Sequence, residues 1–164
     1  MFIKYGDNNP IDVNPKDFID KTSNVESFDV FEKTIYFSSD RQGGQGGRDI
    51  YYAQQLPDGS WGNVKNLGPE INTKFDEDAP FIHSDGKTLF FASTGHNTIG
   101  GYDIFRSELK QGKWSLPYNV GKPVNTTQDD KFYVVSSDGE RGYYSTEKKD
   151  GMGLQDIYMV EPDR

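Results

Sequence analysis

The sequence predicts an all-β protein, a β-propeller built from about three four-stranded antiparallel blades. Three observations carry that expectation. First, one segment recurs at near-constant spacing. Arg48-Asp49-Ile50-Tyr51 returns as Tyr102-Asp103-Ile104-Phe105 and as Gln155-Asp156-Ile157-Tyr158, so the aspartates stand 54 and 53 residues apart. Trp61 returns as Trp114, Asn66-Leu67-Gly68 as Asn119-Val120-Gly121, and Ile71-Asn72-Thr73 as Val124-Asn125-Thr126. Ser84-Asp85-Gly86 returns as Ser137-Asp138-Gly139, and the step from Phe37, Phe91 and Tyr144 to the repeat Asp is 12 residues each time. Second, each unit holds four short β-rich runs separated by turn signals, and a period of this length with four strands is that of a propeller blade. Third, only 33% of the 164 residues are hydrophobic while 14% are aromatic, with 18 Gly and 8 Pro. Disordered chains are poor in aromatics, so the low apolar fraction points to short strands with a Tyr- and Phe-rich core.

The middle copy shows one unit in order. Ala79 to Ser84 is strand a, and Asp85-Gly86-Lys87 is a tight turn. Thr88 to Ser93 is strand b, apolar without alternation and therefore expected to be buried on both faces. Thr94 to Gly101 is a Gly-rich loop, Tyr102 to Leu109 is strand c, and Lys110-Gln111-Gly112-Lys113 is a hairpin turn. Trp114 to Val120 is strand d, interrupted at Pro117 as an edge strand tolerates. On this frame residues 25–75 form blade 1, 76–128 blade 2, and 129–164 blade 3, which lacks its own strand d. Residues 1–24 are a divergent N-terminal segment. Its Phe2-Ile3-Lys4-Tyr5 and Pro10-Ile11-Asp12-Val13-Asn14 loosely match strand d and the Lys122-Pro123-Val124-Asn125 stretch, so it is a candidate for a closing strand d. Only Pro15 to Ile19 has any claim to a helical turn. A propeller typically has four to eight blades. Three are expected either to pair with a second copy in a two-fold, six-bladed ring or to belong to a longer parent protein.

Composition excludes several function classes. The formal net charge is −8, which opposes binding to nucleic acid or an anionic membrane surface. No apolar run approaches the roughly 18 residues of a membrane-spanning helix, so no direct membrane insertion is expected. With no cysteine there is no disulfide scaffold, cysteine nucleophile or thiolate zinc site. Asp7, Asp12, Asp17 and Asp20 make residues 1–24 unlike a signal peptide.

Two stretches carry a family resemblance. Asp85-Gly86-Lys87-Thr88-Leu89-Phe90-Phe91, a Gly-rich loop, then Gly101-Tyr102-Asp103-Ile104-Phe105 resembles the TolB-type β-propeller repeat. The longer pattern, Asn72-Thr73-x-x-Asp76-Glu77-x-x-Pro80-Phe81 into Ser84-Asp85-Gly86, is similar to the variant in bacterial envelope proteins. There the propeller accompanies an OmpA-like peptidoglycan-binding domain. The resemblance spans residues 25–160. Unit one departs from it with Asp29-Val30-Phe31-Glu32-Lys33 in place of the Asp-Gly-Lys turn. Unit three departs with Glu140-Arg141 after its Asp-Gly and Lys131-Phe132 before strand a. The resemblance implies a non-catalytic interaction module, periplasmic or outer-membrane associated, that binds a protein or a peptidoglycan-linked partner.

Candidate site residues follow from the same frame. Asp49, Asp103 and Asp156 open otherwise apolar strands in every unit. A ligand site is usually built once and a folding device in each repeat, so these carboxylates are expected to cap backbone N–H groups of the b–c loops. The Gly-rich loops open strands rather than helices, which opposes a phosphate cradle. The d–a connections carry Asp76-Glu77-Asp78 and Asp129-Asp130 and are expected to share one face with the b–c loops. Arg41, Arg48, Asp76, Glu77, His96, Asp129 and Asp130 are the partner-binding candidates on that face. No cofactor is expected. Acidic side chains of neighbouring blades converging there would suit Ca²⁺ or a basic partner, although no Asp-x-Asp-x-Asp-Gly loop occurs and a solvated loop with strand-capping carboxylates is the plainer expectation. His83 and His96, the only histidines, have no spacing that joins them in a zinc site. Ser84-Asp85-Gly86-Lys87-Thr88 is too compact for a sialidase-type Asp box. Trp61 and Trp114 are expected to pack between blades. No catalytic residue is assigned. The alternative is a glycan-binding or glycoside-hydrolase-like propeller using acidic residues of an axial pocket.

Overall fold

In the first unit, β1 (Val25–Phe31), β2 (Thr34–Ser39), β3 (Asp49–Gln55) and β4 (Trp61–Asn66) form one antiparallel sheet in sequence order. The computed structural model describes residues 24–147, 151–153 and 155–161. The segments Phe2–Tyr5 and Pro10–Asn14, suggested above as a closing strand, and the turn at Pro15–Ile19 lie outside the described residues. In the second unit, β5 (Glu77–Ile82), β6 (Thr88–Ser93), β7 (Asp103–Lys110) and β8 (Lys113–Trp114) follow the same order, and β9 (Tyr118–Asn119) also pairs with β7. Strand d is thus split around Pro117, which has no N–H to give the ladder. The third unit is a three-stranded sheet of β10 (Lys131–Val135), β11 (Gly142–Thr146) and β12 (Asp156–Val160). The described residues hold no helix and make three blades of a β-propeller, the third without strand d.

The turns explain why each unit closes where it does. Asp85 accepts hydrogen bonds from the N–H groups of Lys87 and Thr88 and from the Thr88 hydroxyl, and Gly86 sits at φ +66°. Blade 1 lacks that Asp-Gly pair, yet it still turns tightly because Glu32 adopts a φ of 51°. Strand a begins at Glu77, two residues earlier than the apolar run suggests. The reason is a second partner: Arg48 and Asp76 form a parallel bridge, and the Glu77 N–H donates to the Arg48 carbonyl. All three a strands are interrupted, at Val25/Phe28, Asp78/Phe81 and Lys131/Val134. Ala79 and Phe132 take positive φ inside the second and third of these irregularities. Such bulges re-aim side chains, and here one of them turns Asp78 into the interior.

Side-chain alternation divides each strand between two blade interfaces. Leu89 and Phe91 of β6 join Ile50, Ile71, Ile82 and Phe105 between blades 1 and 2. Phe90 and Ala92 join Ile104, Val124, Tyr133, Val135 and Tyr144 between blades 2 and 3. Each fully buried Phe contributes roughly 1.5–3 kcal/mol by removing its ring from water. Trp114 packs against the first interface as expected. Trp61 does not lie between described blades but joins Ile35, Phe37, Tyr51 and Ala53 on the other side of blade 1. On blade 3 the positions matching Phe90 and Ile104 are Tyr143 and Ile157, and these are 37% and 72% exposed. Met159, beside them, is 58% exposed, so this blade face is open.

Polar side chains also tie the innermost strands together. Asp29 of β1 accepts from the Ile82 N–H of β5 at 2.9 Å and from the Val30 N–H. Asp78 accepts from the hydroxyls of Ser27 and Ser38 and from the Ala79 N–H. Its other oxygen lies 3.5 Å from both Arg48 and Lys131. Burial pushes the Asp78 carboxyl up, but these hydrogen bonds and the Lys131 charge outweigh it and hold the group below its usual range.

Candidate functional site

The b–c loop of each complete blade is laced to the d–a connection that follows it. Gly47 donates to the Phe75 carbonyl and Gly101 to the Gln128 carbonyl, while Asp130 donates to the Tyr102 carbonyl. A Cβ on Gly46 would strike the carbonyls of Phe75 and Thr73, and one on Gly100 those of Gln128 and Thr126. These glycines are required by close backbone approach. The two sets of loops therefore share one continuous face.

The repeat aspartates anchor that face from below. Asp49 accepts from the N–H groups of Gln45 and Gly46 and from the Asn66 amide. Asp103 accepts in the same way from Ile99, Gly100 and Asn119. Asp156 receives only the N–H groups of Met152 and Gly153 among the described residues, because strand d would bring the asparagine. The expected capping role is what the geometry shows. It also answers the phosphate-cradle question, since the loop N–H groups that an anion would need are already engaged by Asp49 and Asp103.

Two buried asparagines, recognised from the repeat only as landmarks, complete the clamp. The Asn72 side chain accepts from the Ile50 N–H and donates to both the Ile50 carbonyl and the Asn66 side chain. Asn125 repeats this on Ile104 and Asn119. Each asparagine stands in for a missing strand neighbour on the first residue after the repeat Asp. Its presence in both complete units, always 22 or 23 residues beyond the Asp, is the signal that could have found it.

The partner-binding candidates separate into two depths. Glu77 and Asp130 are both 0% exposed and do not reach the surface assigned to them above. Glu77 accepts from the Thr73 N–H and from the hydroxyls of Thr73 and Ser93. Asp130 accepts from the Thr126 N–H and hydroxyl. Burial pushes both carboxyls up, against the pull of these hydrogen bonds. Asp76 and Asp129 lie nearer solvent and take the N–H groups of Arg48 and Tyr102. Arg48 pairs with Asp78, and the Arg41 guanidinium lies 4.8 Å and 4.9 Å from the ring centres of Phe37 and Tyr51. The His96 ring packs against Phe91 and Phe105, with Nε2 2.9 Å from the Ile71 carbonyl oxygen. The structure thus joins Arg48 with Asp76 at one blade junction and places Asp129 at the next. A polar recess of about 280 Å³ opens there, lined by Gly101, Thr127, Gln128, Asp129, Glu147 and Gln155.

Among the described residues no three His, Cys, Asp or Glu side chains are placed to hold one ion. His83 sits at the opposite, a–b end of the blades, 3.3 Å from Asp85 and from the Ser136 carbonyl oxygen.

Solved structures share this architecture. TolB from Acinetobacter baumannii matches at a TM-score of 0.53 and 15% identity, over 79% of this chain and 27% of that one. A protein assigned as TolB from Agrobacterium tumefaciens matches at a TM-score of 0.56 and 17% identity, over 85% of this chain and 45% of that one. A prolyl endopeptidase structure matches at a TM-score of 0.46 and 14% identity, over 85% of this chain and 21% of that one, too loosely to bear on activity. The chain therefore spans less than half the length of the TolB structures it matches. No family model and no curated protein matches the sequence. At these identities the likeness shows the β-propeller fold.

Proposed function

We propose that this chain is a non-catalytic interaction module of an envelope-associated bacterial protein. It binds a protein or peptidoglycan-linked partner on the face of the b–c loops and d–a connections. The observation that carries the reading is the lacing of those loops into one fixed surface, with Arg41, Arg48, Asp76, His96 and Asp129 at or near its solvent side. A pre-ordered surface loses little conformational freedom on binding. Glu77 and Asp130 support it from inside by holding the d–a connections in place. The TolB-like architecture and the Asn-Thr-x-x-Asp-Glu motif support the envelope setting. The test compares wild type with an Arg41→Glu, His96→Glu, Asp129→Lys triple variant. Binding to purified peptidoglycan sacculi and to detergent-solubilised envelope proteins is measured by co-sedimentation and capture. The reading expects binding that the variant loses while it remains folded at the assay temperature, its melting temperature lowered by the contacts these side chains also make. Undiminished binding by the folded variant refutes the face.

A further inference from the structure

A second surface, independent of the loop face, lies between blades 1 and 2. A cleft of about 540 Å³ runs there beside the blade 2 c–d hairpin, lined by Tyr36, Tyr52 and Trp114 with Gln54, Glu70 and Lys113 among its polar residues. The Tyr36 ring is 6.4 Å from Tyr52, and 6.3 Å from Trp114 at an interplanar angle of 82°. The repeat register shows what such a position holds elsewhere. Tyr36 pairs across the sheet with Tyr52, and in the next blade the same pair is Phe90 with Arg106. Arg106 pairs in turn with Tyr118. Its guanidinium lies 6.0 Å from the Phe90 ring centre and 5.7 Å from that of Tyr118. It also donates to the Tyr118 hydroxyl and pairs with Glu108 at 3.0 Å. Blade 2 therefore fills its own groove with a guanidinium set among aromatic rings and a carboxylate.

Blade 1 keeps a ring, Tyr36, at the Phe90 position, but Gln54 stands at the Glu108 position and Lys65 at that of Tyr118, so the cleft takes its further ring wall from Trp114 and its carboxylate from Glu70. Tyr52 occupies the arginine's place, and Glu70 makes no ion pair among the described residues. Lys65, registered opposite Tyr52, is exposed and makes no cation–π contact among them. We propose that this cleft receives an arginine side chain from a basic protein partner. The guanidinium stacks on the aromatic walls and pairs with Glu70, as Arg106 does with its own rings and Glu108. A flat, weakly hydrated guanidinium suits such walls better than an ammonium group. The net charge of −8 favours approach of a basic partner.

The test uses Trp114 as reporter, in a Trp61→Phe background. The probes are a capped Gly-Arg-Gly-Arg-Gly peptide, its citrulline counterpart and a chitin tetrasaccharide. The arginine peptide should shift Trp114 emission saturably while the other two do not. Tyr52→Arg, which supplies the protein's own plug, should abolish the response with an unchanged melting temperature, and Glu70→Gln should weaken affinity about threefold. If Tyr52→Arg does not fold, Tyr52→Ala serves in its place and should weaken affinity at least about threefold. The proposal is overturned by no saturable response, by equal binding of the citrulline peptide, by saturation with the sugar, or by undiminished binding in the folded position-52 variant.

Discussion

Asp29 gives the protein a pH dependence whose sign and size can be worked out. Its carboxylate links β1 to β5 by accepting the Ile82 N–H on one oxygen and the Val30 N–H on the other. Burial pushes its pKa from 3.8 up to about 6, against the lowering effect of these two hydrogen bonds. The folded carboxyl therefore holds its proton more tightly than the unfolded one. Its stabilising contribution is full below about pH 4 and is lost as the pH rises through about 6. A gap of about two units corresponds to at most about 3 kcal/mol. Asp29→Asn removes the charge but keeps one acceptor, at a constant cost of about 1–2 kcal/mol for the second hydrogen bond. Urea unfolding of both proteins from pH 4 to pH 8 should then show the variant less stable at pH 4. It should gain up to about 3 kcal/mol on wild type by pH 8. Glu77 and Asp130 are shifted the same way but are common to both proteins, so the difference isolates Asp29. A stability difference that stays flat across this range refutes the reasoning.

Four further outcomes are expected. Asp103→Ala should cost about 3 kcal/mol in urea unfolding and Asp156→Ala about 1 kcal/mol, because Asp103 is buried with three donors and Asp156 holds two near solvent. Asn125→Ala leaves both peptide groups of Ile104 without their side-chain partner and should cost about 2–4 kcal/mol by the same assay. Gly100→Ala should lower the melting temperature by several degrees, since its Cβ meets the Gln128 and Thr126 carbonyls, whereas Gly153→Ala has ordinary contacts only and should change it little. The open face of blade 3 should drive self-association: light scattering should find species heavier than the 18.6 kDa chain, and Ile157→Lys with Met159→Lys should return the monomer. A wild type that is monodisperse at chain mass contradicts this.

The parts of the fold legible in the sequence are those set by local chemistry. Thr88 to Ser93 has no polar face, and it forms a strand over that whole span. Pro117 splits strand d because its nitrogen has no proton, and the repeat aspartates cap loops only three and four residues away. What was not legible depends on partners distant in the chain. Glu77 reads as a surface acid beside Asp76, yet the pairing of Arg48 with Asp76 draws it inside to Thr73 and Ser93. The role of Asn72 becomes visible only once Ile50, 22 residues earlier, is beside it. Likewise Tyr52 and Arg106 are unremarkable letters until strand register places them at one position in two blades. Of the loop face, Arg41, Arg48, Asp76, His96 and Asp129 were legible from their place in the repeat. The depths of Glu77 and Asp130 were not.

Asp78 has a consequence for how such similar blades find their order. Chains made of near-identical units risk pairing the wrong neighbours as they fold. Asp78 needs the hydroxyls of Ser27 and Ser38 on one side and the ammonium of Lys131 on the other. Its counterpart one repeat later is Lys131 itself, so the two blades carry opposite signs at the same address. Exchanging them would bury a charge without its complement, at a cost of several kcal/mol. The Asp78–Lys131 pair thus disfavours an exchange of blades 2 and 3 as the chain folds.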